Sequence, residues 1–372
     1  MPGTTAKLRV GTVGATLTQG GSGWGAHAHV PALRALGDYE LTAVCTAHAD
    51  TAERSRDEFG AEMAFSNFDK MLSGPDLDLV VVVVRVPGHY DLVMKALQAG
   101  KNVFCEWPLG RNLAEAEEMA QLARSRSLKT MVGLQAQSDP AMMYVRDLIR
   151  DGYVGEVIAV NFTSTSQAVT QRGAGRIWQG DRRNGANTLT IAAGHSIDAL
   201  CFMLGEFDEI SARLATNITE WRNPDTGETM KVDSPDWISV SGRLAGGAQV
   251  AFLTTTVPAN PAGSRLEIYG RDGTLVLTAG SFNQGPAKIV GSRGREPLEP
   301  MDPPRRYTLV PDGTPTGSAF NVAQAYARFA TSGNDYHPNF DDAVRRHVLI
   351  DAIERSSAEG RSVRVEAAVP AR

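Results

Sequence analysis

Apolar residues follow two successive rhythms along this chain. Up to about residue 135, short β-branched runs alternate with stretches of helical period; beyond it, apolar and polar residues mostly alternate one by one. The clearest unit of the first rhythm is residues 78–110. Leu79, Val80, Val81, Val82, Val83 and Val84 form an unbroken run, too short to cross a membrane and suited to a strand buried on both faces of a parallel sheet. Val86-Pro87-Gly88 ends it, because proline offers no N–H to a ladder and glycine relaxes the turn. Val93 and Leu97 then recur at helical spacing up to Ala99-Gly100, where glycine suits the left-handed residue that closes a helix. Residues 102–105 read as the next strand, with Glu106-Trp107-Pro108 at its carboxyl end, the edge where open α/β sheets bind ligands.

The same rhythm opens the chain. Residues 7–13 form an apolar strand, Gly11 and Gly14 lie at its end, and the chain passes through Gly23-Trp24-Gly25 into a helix starting near Ala26. Strand, glycine-rich turn and helix is the dinucleotide-binding arrangement: glycines let the backbone approach a pyrophosphate, and the helix amino terminus favours its charge. Gly11, Gly14, Gly23 and Trp24 are therefore candidate cofactor contacts, although residues 15–22 fill a gap normally one residue wide. The second strand, 41–45, runs into Thr46-Ala47-His48, with no acid to bind a ribose 2′-hydroxyl. Thr46, His48 and Arg54 suit a 2′-phosphate instead, which favours NADP over NAD. A helix at 51–59, a short strand at 63–65, a helix at 113–127 and a strand at 130–134 complete a doubly wound half. The boundary falls near Gln135, giving domains 1–135 and 136–372, with the last helices free to pack back on the first.

In the second rhythm, residues 158–165, 208–215, 237–244, 248–256, 264–269 and 274–277 alternate as strands of a large, mostly antiparallel open sheet. Gly246-Gly247 and Asp272-Gly273 are hairpin turns. Pro140 starts a helix reaching Arg150, and further helices are expected at 320–330 and 341–357. Residues 283–315, rich in glycine, proline and charge, read as an irregular excursion.

Composition narrows the possibilities. With 372 residues and 42% hydrophobic content the chain can bury two cores. A net charge of -5 without a basic block argues against nucleic acid. Cys45, Cys105 and Cys201 are far apart and odd in number, as small core residues of a reducing cytoplasm would be. The first residues, MPGTTAKLRV, carry no apolar signal region, and no stretch approaches membrane length. His195 and Asp198 share a helix face, but two ligands without a third do not signal a metal.

Residues 80–110, with Pro87, His89 and then ALQAGKNVFCEWPL, resemble the glucose–fructose oxidoreductase and inositol dehydrogenase (Gfo/Idh/MocA) family, whose hallmark runs P-x-x-H, ALxAGKHV, E-K-P. GYVGEV at 152–157, LEIYGRDGTLVL at 266–277 and NFDDAVRRHVLIDAIERSSAEGRSVR at 339–364 extend the likeness over nearly the whole chain. The resemblance implies a Rossmann domain followed by an α+β substrate domain, and an NAD(P)-dependent oxidoreductase acting on a hydroxyl of a sugar, glycoside or polyol. It places Pro87, His89 and Glu106 on the cofactor side, Trp178 in a loop over the cofactor, and His195 on the substrate side. It further implies a second subunit covering the sheet, hence a homodimer or homotetramer.

Three departures bear on chemistry. The family's lysine is Trp107, which cannot titrate; the aspartate four residues before the histidine is Ile191; and N-R-R-F is replaced by a segment beginning Gln135-Ala136-Gln137. His195 remains as the acid/base, with an ordinary pKa suited to exchanging a hydroxyl proton near neutrality. Trp107, Gln135, Gln137, Asn187 and Asp198 are the candidates for holding substrate, and the two glutamines favour a neutral polyol. E-W, G-L-Q, N-G and G-H-x-I-D recur together in the family's branch resembling the fungal galactose-regulon repressor, which binds a dinucleotide and acts through protein contact. A non-catalytic regulator is therefore a second reading. Elimination or glycoside cleavage through transient oxidation, without net redox change, is a third.

Overall fold

The β-branched runs of the first half pair side by side in parallel. The computed structural model describes residues 7–16, 23–333 and 335–366. Strands β1 (Leu8–Val13), β2 (Tyr39–Cys45), β3 (Met63–Phe65), β4 (Leu79–Val82), β5 (Asn102–Cys105) and β6 (Thr130–Val132) stand in the order β3-β2-β1-β4-β5-β6. Every pairing is parallel. Strand order reverses between β1 and β4, the switch point at which such sheets bind dinucleotides. Leu79, Val80, Val81 and Val82 are all fully buried, as a central strand covered on both faces requires. Each such side chain contributes about 1.5–3 kcal/mol through burial. Gly100 follows the helix His89–Gln98 with a φ of 73°, the left-handed closure expected of it.

Contacts divide the chain into two units. The first holds Met1–Leu134 together with Leu309–Val344, so its core includes residues from the far end of the sequence. Val322, Ala323 and Tyr326 of the helix Ser318–Thr331 join Val10, Ala32 and Phe104 in one cluster.

The second unit, Gln135–Thr308 and Arg345–Arg372, is built on β7 (Val157–Thr165), β8 (Phe207–Ala215), β11 (Trp237–Leu244), β12 (Gln249–Thr255), β13 (Gly263–Gly270), β14 (Gly273–Ala279), β15 (Lys288–Arg293), β16 (Glu299–Met301) and β17 (Val363–Arg364). Their order is β16-β15-β14-β13-β7-β12-β11-β8-β17. Only β7 and β12 pair in parallel. In β7, Val160, Phe162 and Ser164 are buried while Asn161 and Thr163 are exposed, so one face carries the core. Phe162 and Phe252 stack there at 4.6 Å between ring centres. The segment Leu189–Ala193 and the helix Gly194–Leu204 follow one another, the former running against β11 and β12.

Two short strands, β9 (Glu220–Arg222) and β10 (Thr229–Lys231), form a separate ribbon that three-residue runs do not announce. The expectation of an irregular excursion at 283–315 is corrected, since β15 and β16 extend the sheet there. Ile289 is buried while Lys288, Glu299 and Pro300 are exposed; charge and proline are what an edge strand carries, and they hide its alternation. Among the described residues no helix is long and apolar enough to cross a membrane, and no group of three or more potential ligands forms a metal cluster.

Candidate functional site

In the first unit the glycines on either side of the turn after β1 have no room for a side chain. Gly14 has a φ of 97°, and a β-carbon on it would stand 2.4 Å from the Val83 carbonyl oxygen, so only glycine fits. Gly23 is also left-handed, at 64°. Gly25 opens the following helical segment, and a β-carbon there would stand 2.7 Å from Ala15 Cα. That close helix–strand approach is the third-glycine role of dinucleotide turns. Sequence spacing missed it because the turn is long; residues 17–22 lie outside the described residues. Gly11, expected at the strand's end, sits within β1, and a β-carbon on it would meet Leu77 Cδ1 at 2.6 Å, so its smallness serves core packing. Trp24 packs half-buried against both core clusters of this unit.

Beyond β2, Thr46 donates to the His48 carbonyl (2.9 Å) and meets the Thr51 hydroxyl at 2.6 Å, shaping the turn into the helix Ala49–Phe59. His48 is exposed, and exposed Arg54 lies 3.8 Å from Asp50. Pro87 is exposed in the turn Val86–Gly88. His89 is buried, with Nδ1 2.9 Å from the Pro108 carbonyl and Nε2 3.1 Å from that of Val84. It therefore braces the loops that leave β4 and β5. Burial pushes its imidazole below the ordinary range, against the pull of both carbonyls.

Glu106, at the carboxyl end of β5, belongs to a buried chain of polar groups. Its Oε1 lies 2.8 Å from His29 Nε2, and His29 Nδ1 lies 2.9 Å from the Tyr326 hydroxyl. Burial holds the Tyr326 phenol well above its usual range, so the hydroxyl keeps its proton. It can donate to Nδ1, which leaves the Nε2 hydrogen for the Glu106 carboxylate. Gly133 makes the space: a β-carbon there would stand 2.5 Å from Glu106 Oε2. Trp107, beside it, is buried at 5% exposure.

In the second unit the expected substrate residues separate into two groups. Gln137 Nε2 donates to both Asp198 oxygens, at 3.0 and 3.2 Å, and Asp198 lies 3.8 Å from Arg346 Nε. Arg346 also pairs with Glu206. Burial works against its charge, but the carboxylates of Glu206 and Asp198 keep the guanidinium protonated. Asp198, expected to hold substrate, is 2% exposed and lies beside Arg346 as a buried counter-charge. Gln135, two residues before Gln137, is buried, and His195 lies one turn before Asp198, 7% exposed.

The other group lines a cavity of about 180 Å³ wholly within this unit. Asn187 belongs to it; its amide oxygen accepts from the backbone of Leu189 (2.9 Å) and Thr190 (3.2 Å), capping the helical segment that leads to His195. Ile191, Gln179 and Trp221 contribute further walls. Trp178 is outside this lining; its indole donates to the Gly175 carbonyl at 2.9 Å within its own loop. Arg172 and Arg176, which sequence reasoning did not single out, also line the cavity. Their loop carries no local pattern that marks them.

Comparison with known proteins places these features. Residues 19–134 match the family described as an oxidoreductase family with an NAD-binding Rossmann fold. Residues 140–279 match the C-terminal domain of Gal80p. The dehydrogenase aclE of Aspergillus oryzae is 31% identical over 87% of this chain and 88% of its own. Inositol 2-dehydrogenase of Rhizobium meliloti is 26% identical over 91% of this chain and 95% of its own. A super-repressor mutant of Gal80p from Saccharomyces cerevisiae superposes with a TM-score of 0.84 at 22% identity, covering 97% of this chain and 98% of that one, a likeness of fold.

Proposed function

The chain belongs to the Gfo/Idh/MocA oxidoreductase family, and from that premise we propose that it is a nicotinamide-dependent dehydrogenase oxidising a hydroxyl of a sugar-like substrate. The observation that carries the reading is the β1 turn, where left-handed Gly14 and the close approach of Gly25 to Ala15 draw the following helical segment onto the strand at the sheet's switch point, the packing that dinucleotide turns require. Thr46-Ala47-His48 after β2 lacks an acid, which supports NADP over NAD. A bound nicotinamide supplies the hydride chemistry. Glu106, fixed by His29, holds a carboxylate at the sheet edge where that ring is expected. An imidazole nitrogen of His195 takes the proton of the substrate hydroxyl, a contribution of about 100- to 10,000-fold. Trp107 excludes water and has no proton to move.

The test is absorbance of reduced nicotinamide when the purified protein meets NAD or NADP with a panel of sugars, sugar acids, glycosides and polyols. We expect reduction, faster with NADP. A flat trace with every pair, while fluorescence shows the dinucleotide bound, sinks the dehydrogenase. Trp107 in the place of the family lysine, together with the Gal80p-type second half, favours one alternative, a dinucleotide-binding regulator. That reading expects binding without turnover and a protein partner in pull-downs.

A further inference from the structure

Two arginines, Arg172 and Arg176, line the cavity in the second unit together with apolar and neutral polar side chains. Arg172 Nε is buried and has no partner among the described residues. Its guanidinium lies 5.4 Å from the Trp221 ring centre, over the indole. Arg176 shares the lining, and among the described residues neither arginine lies within ion-pairing distance of a carboxylate. Burial and the neighbouring Arg176 both press against the charge of Arg172, a cost that a bound anion relieves. Asn187 spends its amide oxygen on the helix cap, so its NH₂ is what it offers the cavity. Among the described residues Asp236 is the one carboxylate in the lining. Its oxygens accept from Asn217 N, Asn217 Nδ2 and Ile218 N at 2.7–2.9 Å, so its charge is met from within the protein. Ile191, one turn before His195, stands here as an apolar wall.

A cavity of about 180 Å³ lies below the roughly 300–1,000 Å³ of drug-sized sites and suits one monosaccharide. The Trp221 ring offers an apolar face to such a ring, and two guanidiniums offer paired donors for a planar carboxylate. We propose that this cavity binds the carboxylate of an acidic sugar, a uronate or aldonate, through Arg172 and Arg176. The inference rests on the reading of this unit as the substrate-binding half of a dehydrogenase, and it narrows the substrate class from sugar-like compounds to sugar acids.

Calorimetric titration of the full chain, with and without NADPH, against D-glucuronate, D-galacturonate and D-gluconate, and against D-glucose and D-galactose, tests it. D-Glucose 6-phosphate forms a separate arm. At least one sugar acid should bind about tenfold more tightly than its neutral counterpart and than the phosphate, with the difference shrinking as salt rises. Arg172→Gln should weaken the acid by about 10- to 100-fold, the worth of a hydrogen bond to a charged group, and leave the melting temperature in place. Exposed Arg176→Gln removes a charge without disturbing the interior and should cost a smaller part of the same preference. Arg172→Lys should restore some of it. Equal affinity for acid and neutral sugars, stronger binding of the phosphate, or a preference untouched by both glutamine variants overturns the assignment. Nicotinamide reduction is read in parallel samples that hold NADP in place of NADPH. Acid-sugar binding without nicotinamide reduction keeps this site and removes the dehydrogenase; nicotinamide reduction with neutral sugars only removes this site and keeps the enzyme.

Discussion

The carboxylate at Glu106 shows how much of a site one short motif announces. E-W-P at a strand's carboxyl end marks the position from sequence, because the preceding β-branched run and helix fix the strand order. Its partners do not follow from any spacing: His29 is 77 residues away, and Tyr326 is 297 residues from His29. Glycines are misread for the same reason. Gly11 and Gly14 look equivalent in the sequence, yet one packs under Leu77 and the other lies against the Val83 carbonyl. Gly133→Ala tests the arrangement directly. A methyl 2.5 Å from Glu106 Oε2 must displace the carboxylate, so we expect a loss of about 1–3 kcal/mol in chemical denaturation and weaker dinucleotide binding by fluorescence. Unchanged affinity for the dinucleotide would separate Glu106 from the cofactor. His195→Ala should lower kcat by about 100- to 10,000-fold and leave cofactor affinity in place; a smaller effect on kcat removes the imidazole from proton transfer.

At the scale of elements, the sequence pattern locates strands and helices well where alternation or helical period is long, and fails where an edge carries charge, as at β15 and β16. It also misassigns side chains whose partners arrive from another element. Asp198 looks like part of a catalytic face with His195 until the helix Phe340–Glu359 brings Arg346 beside it. Arg346→Met should destabilise the protein by about 3–5 kcal/mol in urea, because it strands the buried Asp198 without its counter-charge. A change below 1 kcal/mol would show the network to be dispensable. His347, next along that helix, is pushed down to about 3 by burial. The unfolded chain then binds a proton between its ordinary value near 6.5 and about 3 that the folded chain refuses. Stability contributed by this site is therefore complete above pH 6.5 and falls as pH drops below it. Melting temperatures at pH 7.5, 6, 5 and 4 should decline along that window, and His347→Leu should flatten the decline. Parallel declines in both proteins would place the acid sensitivity elsewhere.

Across the whole molecule, the change of rhythm near residue 135 is legible because a buried parallel sheet and an open antiparallel sheet impose different periods on apolar residues. The return of Leu309–Val344 to the first unit is less so, since helices at 320–330 and 341–357 pack as well on either half by their pattern. The nine-stranded sheet raises the last question, that of assembly. Its outer face presents Asn161, Thr163, Ser241, Ala251 and Arg265 with Trp237 and Tyr269, the last two 37% exposed each. An antiparallel sheet can leave such a face to water, but a broad face with two large aromatics also suits a copy of itself. An interface of about 1,200–2,000 Å² on a two-fold axis is enough for a stable pair. Sedimentation velocity should therefore find two or four chains together. Ala251→Arg, a long charge on a small exposed position paired with Asn161 and Ser241, should release single chains without lowering the melting temperature of each. A wild-type protein that already sediments as one chain, or an Ala251→Arg variant that stays assembled, removes this face from the interface.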